Sequence, residues 1–248
     1  MKQFKFTTIG HQNHLFYSPI SPTKANQLLA LIPLQPNDII LDIGCGAGEW
    51  LIRLCALTGA VGRGLDINPD FIQLAQHRTQ QHPHPLNIDW QTIPLNQLPP
   101  TNSYQALLCL GASHAFGTYH DALQQASQYL TPGGYLLIGD GFWQQLPHPD
   151  YLNILGASPN SYGTHVDNIQ AGLDAGLTLL YATTSNQDEW DHYEGLYHHS
   201  LIHYAQNNPQ DPDSATIHER ITDWQKAYYQ WGRATLGFGF YLFQTPLN

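Results

Sequence analysis

A chain of 248 residues that is 42% hydrophobic and only 11% charged has ample core material for one large α/β domain and is unlike a disordered chain. The formal net charge of -10, with 9 Lys and Arg scattered along the sequence, disfavours a broad nucleic-acid surface, because affinity for phosphate backbones rests on those cations. Cys45, Cys55 and Cys109 match neither a zinc ribbon nor a disulfide framework, and they read as small buried hydrophobes in a reducing compartment.

No apolar h-region follows Met1-Lys-Gln-Phe-Lys-Phe6 and no run reaches transmembrane length, so a soluble cytoplasmic protein is expected. Residues 1–20 read as an aromatic and polar arm containing His11, His14, Phe16 and Tyr17. Ser21-Pro22 then starts a helix, with Ser as N-cap and Pro in the first turn, and Pro33 and Pro36 close it. An apolar run, Ile39-Ile-Leu-Asp-Ile43, meets glycines at 44, 46 and 48, and a helical stripe of Trp50, Leu51, Leu54 and Cys55 follows. A strand that turns through glycine into a helix leaves backbone N–H groups facing the crevice beyond the strand end.

Val61–Ile67 reads as a second strand with Asp66 near its end, about 20 residues past the glycine loop, where Rossmann-like folds place a carboxylate on ribose hydroxyls. Pro69 opens a helix and 86–90 form a short third strand. Tyr104–Leu110 is a continuous apolar run, as a central parallel strand requires, and it breaks at Gly111-Ala-Ser-His114. A helix from Tyr119 to Leu130, a Thr131-Pro-Gly-Gly134 turn and a fifth strand over 135–140 come next. Residues 141–163 read as loop, followed by a helix over 166–175 and a strand over 177–184. Two polar-aromatic helices, about 188–206 and 214–232, precede a strongly apolar last strand, Leu236–Gln244.

The dinucleotide fingerprint G-x-G-x-x-G places its third glycine one residue later than this chain does. The G-x-G-x-G spacing behind Asp42, the acid-ended second strand, the fourth strand and Leu130-Thr-Pro-Gly-Gly134 together resemble the class I S-adenosylmethionine-dependent methyltransferases over about residues 20–184. Segments 187–194 and 231–238 are similar to small uncharacterised members of that class.

The resemblance implies a doubly wound, mostly parallel seven-stranded sheet of order 3-2-1-4-5-7-6 with a helical cap near the C-terminus. The domain plan is an arm and helix over 1–35, a core over 36–184, a cap insertion over 185–233 and a final strand over 234–248. For the cofactor, it implies the backbone of Gly44, Cys45 and Gly46 at the methionine end with Asp42 nearby, Asp66 on the ribose, Ile67 against adenine, and Leu110 and Gly111 near the sulfonium. Pro94 stands where many members carry an acid, so adenine recognition falls to the Leu95 N–H and to packing. The implied reaction is methyl transfer to a small-molecule acceptor by in-line displacement.

His114 is a candidate base, or else a polar loop residue that shapes the pocket; Tyr17 is a candidate lid or catalytic residue. Glu194 with His198, and His199 with His203, sit four apart, yet no H-E-x-x-H spacing is present and they read as a polar helix face. No metal, nucleic acid or membrane partner is expected. Trp224, Tyr228 and Trp231 read either as a packing stripe or as the wall of an aromatic acceptor pocket, with Asp188, Glu189 and Asp191 adding negative potential. A non-catalytic module or partner subunit that holds the cofactor, and another reaction on the same scaffold, stay open. An RNA methyltransferase predicts a basic groove beside Gly111, against the charge balance.

Overall fold

The computed structural model describes residues 4–247. One sheet runs through it in the order β3 (Ile88–Gln91), β2 (Val61–Leu65), β1 (Ile39–Ile43), β4 (Tyr104–Leu110), β5 (Leu130–Trp143), β7 (Leu236–Gln244), β6 (Thr178–Thr184). All neighbours are parallel except β7, which runs antiparallel to both β5 and β6. The expected order is therefore the observed one.

Helices α2 (Pro22–Leu29) and α3 (Glu49–Thr58) pack on one face, and α5 (Tyr119–Ala126) and α7 (His165–Asp174) on the other. Period-two alternation divides the central strands between the two cores. Ala106, Leu108 and Leu110 join Leu28, Leu51, Leu54 and Phe240 on the first face. Leu107 and Cys109 join Leu123, Ala171, Tyr241 and Phe243 on the second. Ser21 caps α2 and Asn68 caps α4 (Pro69–Gln80), each with Pro in the first turn.

Between β6 and β7 stand α8 (Gln187–Asn207) and α9 (Ser214–Ala227). A π-helical turn, Tyr228–Gly232, continues α9, and the Tyr228 hydroxyl donates to Asp191 Oδ1 on α8 at 2.7 Å. Lys24 on α2 ties the cap to the core through Glu189, whose other oxygen accepts from the Ser21 N–H at 2.9 Å. Among the described residues no helix is long and apolar enough to cross a membrane.

Four local expectations are corrected. The arm before Ser21 contains a helix, α1 (Lys5–His11), held by tertiary contacts: Lys5 reaches Asp211 and Asp213 at 2.7 Å each, and Ile9 joins Leu201, Ile217 and Ile221. The helix expected to reach Leu130 stops at Ala126. The supposed turn at 131–134 lies inside β5, where Gly133 takes φ +74 and the ladder with β4 shifts register, while Leu130 still pairs with Tyr104. The supposed loop over 141–163 holds the end of β5 and a short helix, α6 (Pro149–Leu155), packed through Tyr151 and Leu152 onto Trp143 and Ala227.

Candidate functional site

Gly44 and Gly46, just past β1, take φ +67 and +53, a left-handed conformation that side chains resist. A Cβ on Gly46 would also stand 2.5 Å from Cδ2 of Tyr17, so the loop and the segment above it fit only with glycine there. Asp66, directly after β2, pins this loop. Its Oδ2 accepts from the Gly46 N–H at 3.0 Å and its Oδ1 from the Asn68 N–H at 2.8 Å. Burial raises the Asp66 carboxyl above its ordinary range, opposed by the N–H groups of Asn68, Gly46 and Ile67 and by His114. A carboxylate has about four acceptor positions, so both oxygens keep capacity for a ligand.

These groups open onto a cleft of about 560 Å3, within the size range of small-molecule sites. Gly44, Gly46 and Asp66 form its floor. Ile67, half exposed at 50%, faces it together with Pro94 and Leu95, an apolar slot with no acid. Leu110, Gly111 and His114 close the end beyond β4.

Two expected residues lie elsewhere. Asp42, 2% exposed, lines a separate cavity of about 20 Å3 under the loop with Gly44 and Trp50. Its Oδ2 and the Trp50 Nε1 are both buried without a hydrogen-bond partner, and the space is the size of one water. Burial, and next the Asp66 charge, push the Asp42 carboxyl well upward. The Cys45 N–H donates to the Leu65 carbonyl at 2.9 Å and its carbonyl accepts from the Gly48 N–H at 2.9 Å, leaving one acceptor position on that carbonyl. Its buried thiol also lines the small cavity.

The roof comes from the N-terminal segment and α8, and sequence reasoning missed most of it. The Tyr17 ring centroid lies 4.6 Å from that of His11 and 4.7 Å from that of Phe71. His11 Nδ1 bonds the Thr7 carbonyl at 2.9 Å; a carbonyl only accepts, so Nδ1 carries the proton and Nε2 accepts from the Tyr193 hydroxyl at 2.9 Å. Burial lowers His11 to about 4 and raises Tyr17 to about 12. Tyr17 lines the cleft beside His11, Phe71 and Tyr193.

The aromatic residues of the cap lie in three separate places: Trp224 packs with α1 and α8, Tyr228 with the first core, and Trp231 stacks on His148 at 5.2 Å. Of the cap aromatics only Tyr193 lines the cleft. Glu189 and Asp191 are spent on Lys24 and Arg233. Glu194, half-buried, accepts from Trp224 Nε1 at 2.6 Å, and His203 contacts Asn207. No group of three metal-ligating side chains occurs among the described residues. Past Gly111 and His114 the cleft adjoins a second cavity of about 990 Å3, lined by Ser113, Asp140, Tyr162 and Asn168.

The description "methyltransferase domain" belongs to the family model that matches residues 40–134, from β1 into β5. The chain is 26% identical over 239 residues to the uncharacterised protein YjhP of Escherichia coli, covering 94% of each. It is 28% identical to the 27-O-demethylrifamycin SV methyltransferase of Amycolatopsis mediterranei, over 72% of this chain and 70% of that one. A crystal structure of an S-adenosylmethionine-dependent methyltransferase from Geobacter sulfurreducens, in complex with S-adenosyl-L-homocysteine, superposes with a TM-score of 0.90 at 24% identity, covering 96% and 97% of the two chains.

Proposed function

We propose that this chain, a class I S-adenosylmethionine-dependent methyltransferase, moves the methyl group to a small-molecule acceptor held beside Gly111 and His114. The observation that carries the reading is the pair of adjoining cavities, one that suits the cofactor and one left for an acceptor. A scaffold that only held the cofactor has no use for the second.

The residues present fit the cofactor. Asp66 has free acceptor capacity where ribose hydroxyls are expected, and the orphaned Asp42 Oδ2, in a space the size of one water beside Gly44, suits an ammonium group through that water. Gly44 and Gly46 let the ligand approach bare backbone, and Ile67, Pro94 and Leu95 supply an apolar slot for a purine. Bound there, S-adenosylmethionine supplies an electrophilic methyl group on a sulfonium.

What this chain contributes is alignment and exclusion of water. Leu110 and Gly111 set the floor under the reacting atoms, and Tyr17, Phe71 and Tyr193 cover the cleft. His114, exposed between the cavities, is placed to shape the acceptor or to take a proton from it. The relative named for methyl transfer to a rifamycin supports a small-molecule acceptor, as does the scarcity of Lys and Arg.

The test incubates the protein with methyl-labelled S-adenosylmethionine and, separately, a small-metabolite extract, total RNA and total protein. Label in the metabolite fraction alone is expected. Label in RNA or protein, or none in any fraction, overturns the reading.

A further inference from the structure

The second cavity contains a carboxylate that the account so far leaves unused. The Gly111 N–H donates to the Gly139 carbonyl at 2.8 Å, which sets Asp140, the next residue of β5, beside the methyl-transfer end of the cleft. Asp140 Oδ1 accepts from the Gly141 N–H at 2.6 Å and Oδ2 from the Ser113 hydroxyl, leaving acceptor capacity on both oxygens. Ser113 sits in the 3₁₀ turn after β4 and is itself buried, so it fixes the carboxylate in place.

The charges around Asp140 are incomplete. Cys109 from β4, Tyr119 from α5, Tyr162 from the loop before α7, and Tyr241 from β7 are each pushed upward in part by the Asp140 charge, and His120 and Asp167 line the same cavity. His165 on α7 bonds the Tyr241 hydroxyl at 3.0 Å. His114 is the one group that eases the carboxyl downward by charge, against the burial that raises it. Among the described residues no Lys or Arg lines the cavity. The Asp140 carboxylate is half-buried and faces a cavity with room for a ligand that brings a positive charge.

Resting on the proposed function, we propose that Asp140, positioned by Ser113, is the acceptor-recognition residue and that the acceptor is a primary or secondary alkylamine bound as its ammonium ion. The ammonium supplies the missing positive charge, and the same cavity repels carboxylate and phosphate acceptors. Before transfer the ammonium gives one proton to the Asp140 carboxylate, which becomes a carboxylic acid and leaves a neutral amine with a free electron pair. With the cofactor bound, the amine nitrogen would gain the methyl group as the CH3–S bond breaks with its electron pair staying on sulfur; the product would leave as an N-methylammonium ion, and Asp140 would release its proton to solvent to restore the carboxylate. Burial of the carboxyl favours its taking that proton.

The probe is a matched trio of benzylamine, benzyl alcohol and benzoate, titrated by NMR into the full-length protein saturated with S-adenosyl-L-homocysteine. Benzylamine is expected to shift the Ser113, Gly141 and Asn168 amides saturably, at least tenfold more tightly than benzyl alcohol, with benzoate silent. Asp140→Asn is expected to lose that tenfold preference while S-adenosyl-L-homocysteine affinity and the melting temperature hold. Should Asp140→Asn fail to fold, Ser113→Ala serves in its place and loses part of the preference. Equal binding of amine and alcohol, an unaffected Asp140→Asn, or no binding by any of the three overturns the inference. A wild-type chain that does not take up S-adenosyl-L-homocysteine overturns the proposed function as well, so the two failures are distinguishable.

Discussion

The ring of Tyr17 rests on Gly46: a Cβ on that glycine would stand 2.5 Å from Cδ2 and 3.0 Å from Cε2 of the ring. The lid segment and the cofactor loop are thus one packed unit. Gly46→Ala meets both the left-handed backbone and the ring, and is expected to cost about 1–3 kcal/mol of stability and to weaken cofactor affinity. Tyr17→Ala removes the clash but not the backbone strain, so the double variant is less damaged than the sum of the singles. Tyr17→Phe keeps the ring and is expected to leave affinity within roughly twofold, since among the described residues the hydroxyl makes no hydrogen bond and feels Arg78 and Asp66 only by charge, in opposite senses. Denaturation and calorimetry on the four proteins check this; additive losses, or a Tyr17→Phe as weak as Tyr17→Ala, contradict it.

Asp42 makes a pH prediction. Burial lifts its carboxyl above the ordinary value of 3.8, so the folded state holds the proton more tightly than the unfolded state does. Stability from this group is therefore full at acid pH and falls as pH rises through the raised value. Asp42→Asn is expected to match wild type near pH 4 and to melt roughly 2–4 °C higher at pH 7.5, the shift about 1 kcal/mol gives in a chain this size. It should still bind the cofactor about tenfold more weakly, having lost the anion. A stability difference that does not change with pH contradicts the account.

His11 runs in the opposite direction. Its folded value of about 4 lies below the ordinary 6.5, so the unfolded state binds more protons between those limits. Its contribution is complete above pH 6.5 and is lost as pH falls toward 4. His11→Gln is therefore expected to flatten the acid side of the stability profile. Tyr193→Phe, which leaves Nε2 without its donor, should cost about 1 kcal/mol at pH 7.5. Urea midpoints taken from pH 4 to 8 separate this effect from that of Asp42.

Much of this was legible in the sequence where local pattern and tertiary context agree. Tyr104–Leu110 and Leu236–Gln244 are apolar enough to be strands anywhere, and the glycines at 44 and 46 announce a loop that touches a ligand. Lys5–His11 is the converse, because Thr7, Thr8 and Gly10 are weak helix formers and the helix exists through its partners. Gly10 fits there since the Tyr197 ring leaves no room for a Cβ. At Gly133 the positive φ fits the turn chemistry of Thr131-Pro-Gly-Gly134, yet the ladder with β4 resumes around it and keeps the segment inside the strand. Asp140 carried no signal of its own: an acid near a strand end gains meaning only once Ser113 and an empty cavity are set against it.

The central claim is that Asp66 both pins the glycine loop and holds the cofactor. Calorimetry of S-adenosylmethionine binding, on wild type and Asp66→Ala side by side, tests it most directly. Saturable 1:1 binding is expected, weakening by roughly 100-fold or more in the variant, two charge-assisted hydrogen bonds of about 1.5–3 kcal/mol each being lost. No saturable heat from a folded wild-type chain, or equal affinity in the two proteins, would contradict it.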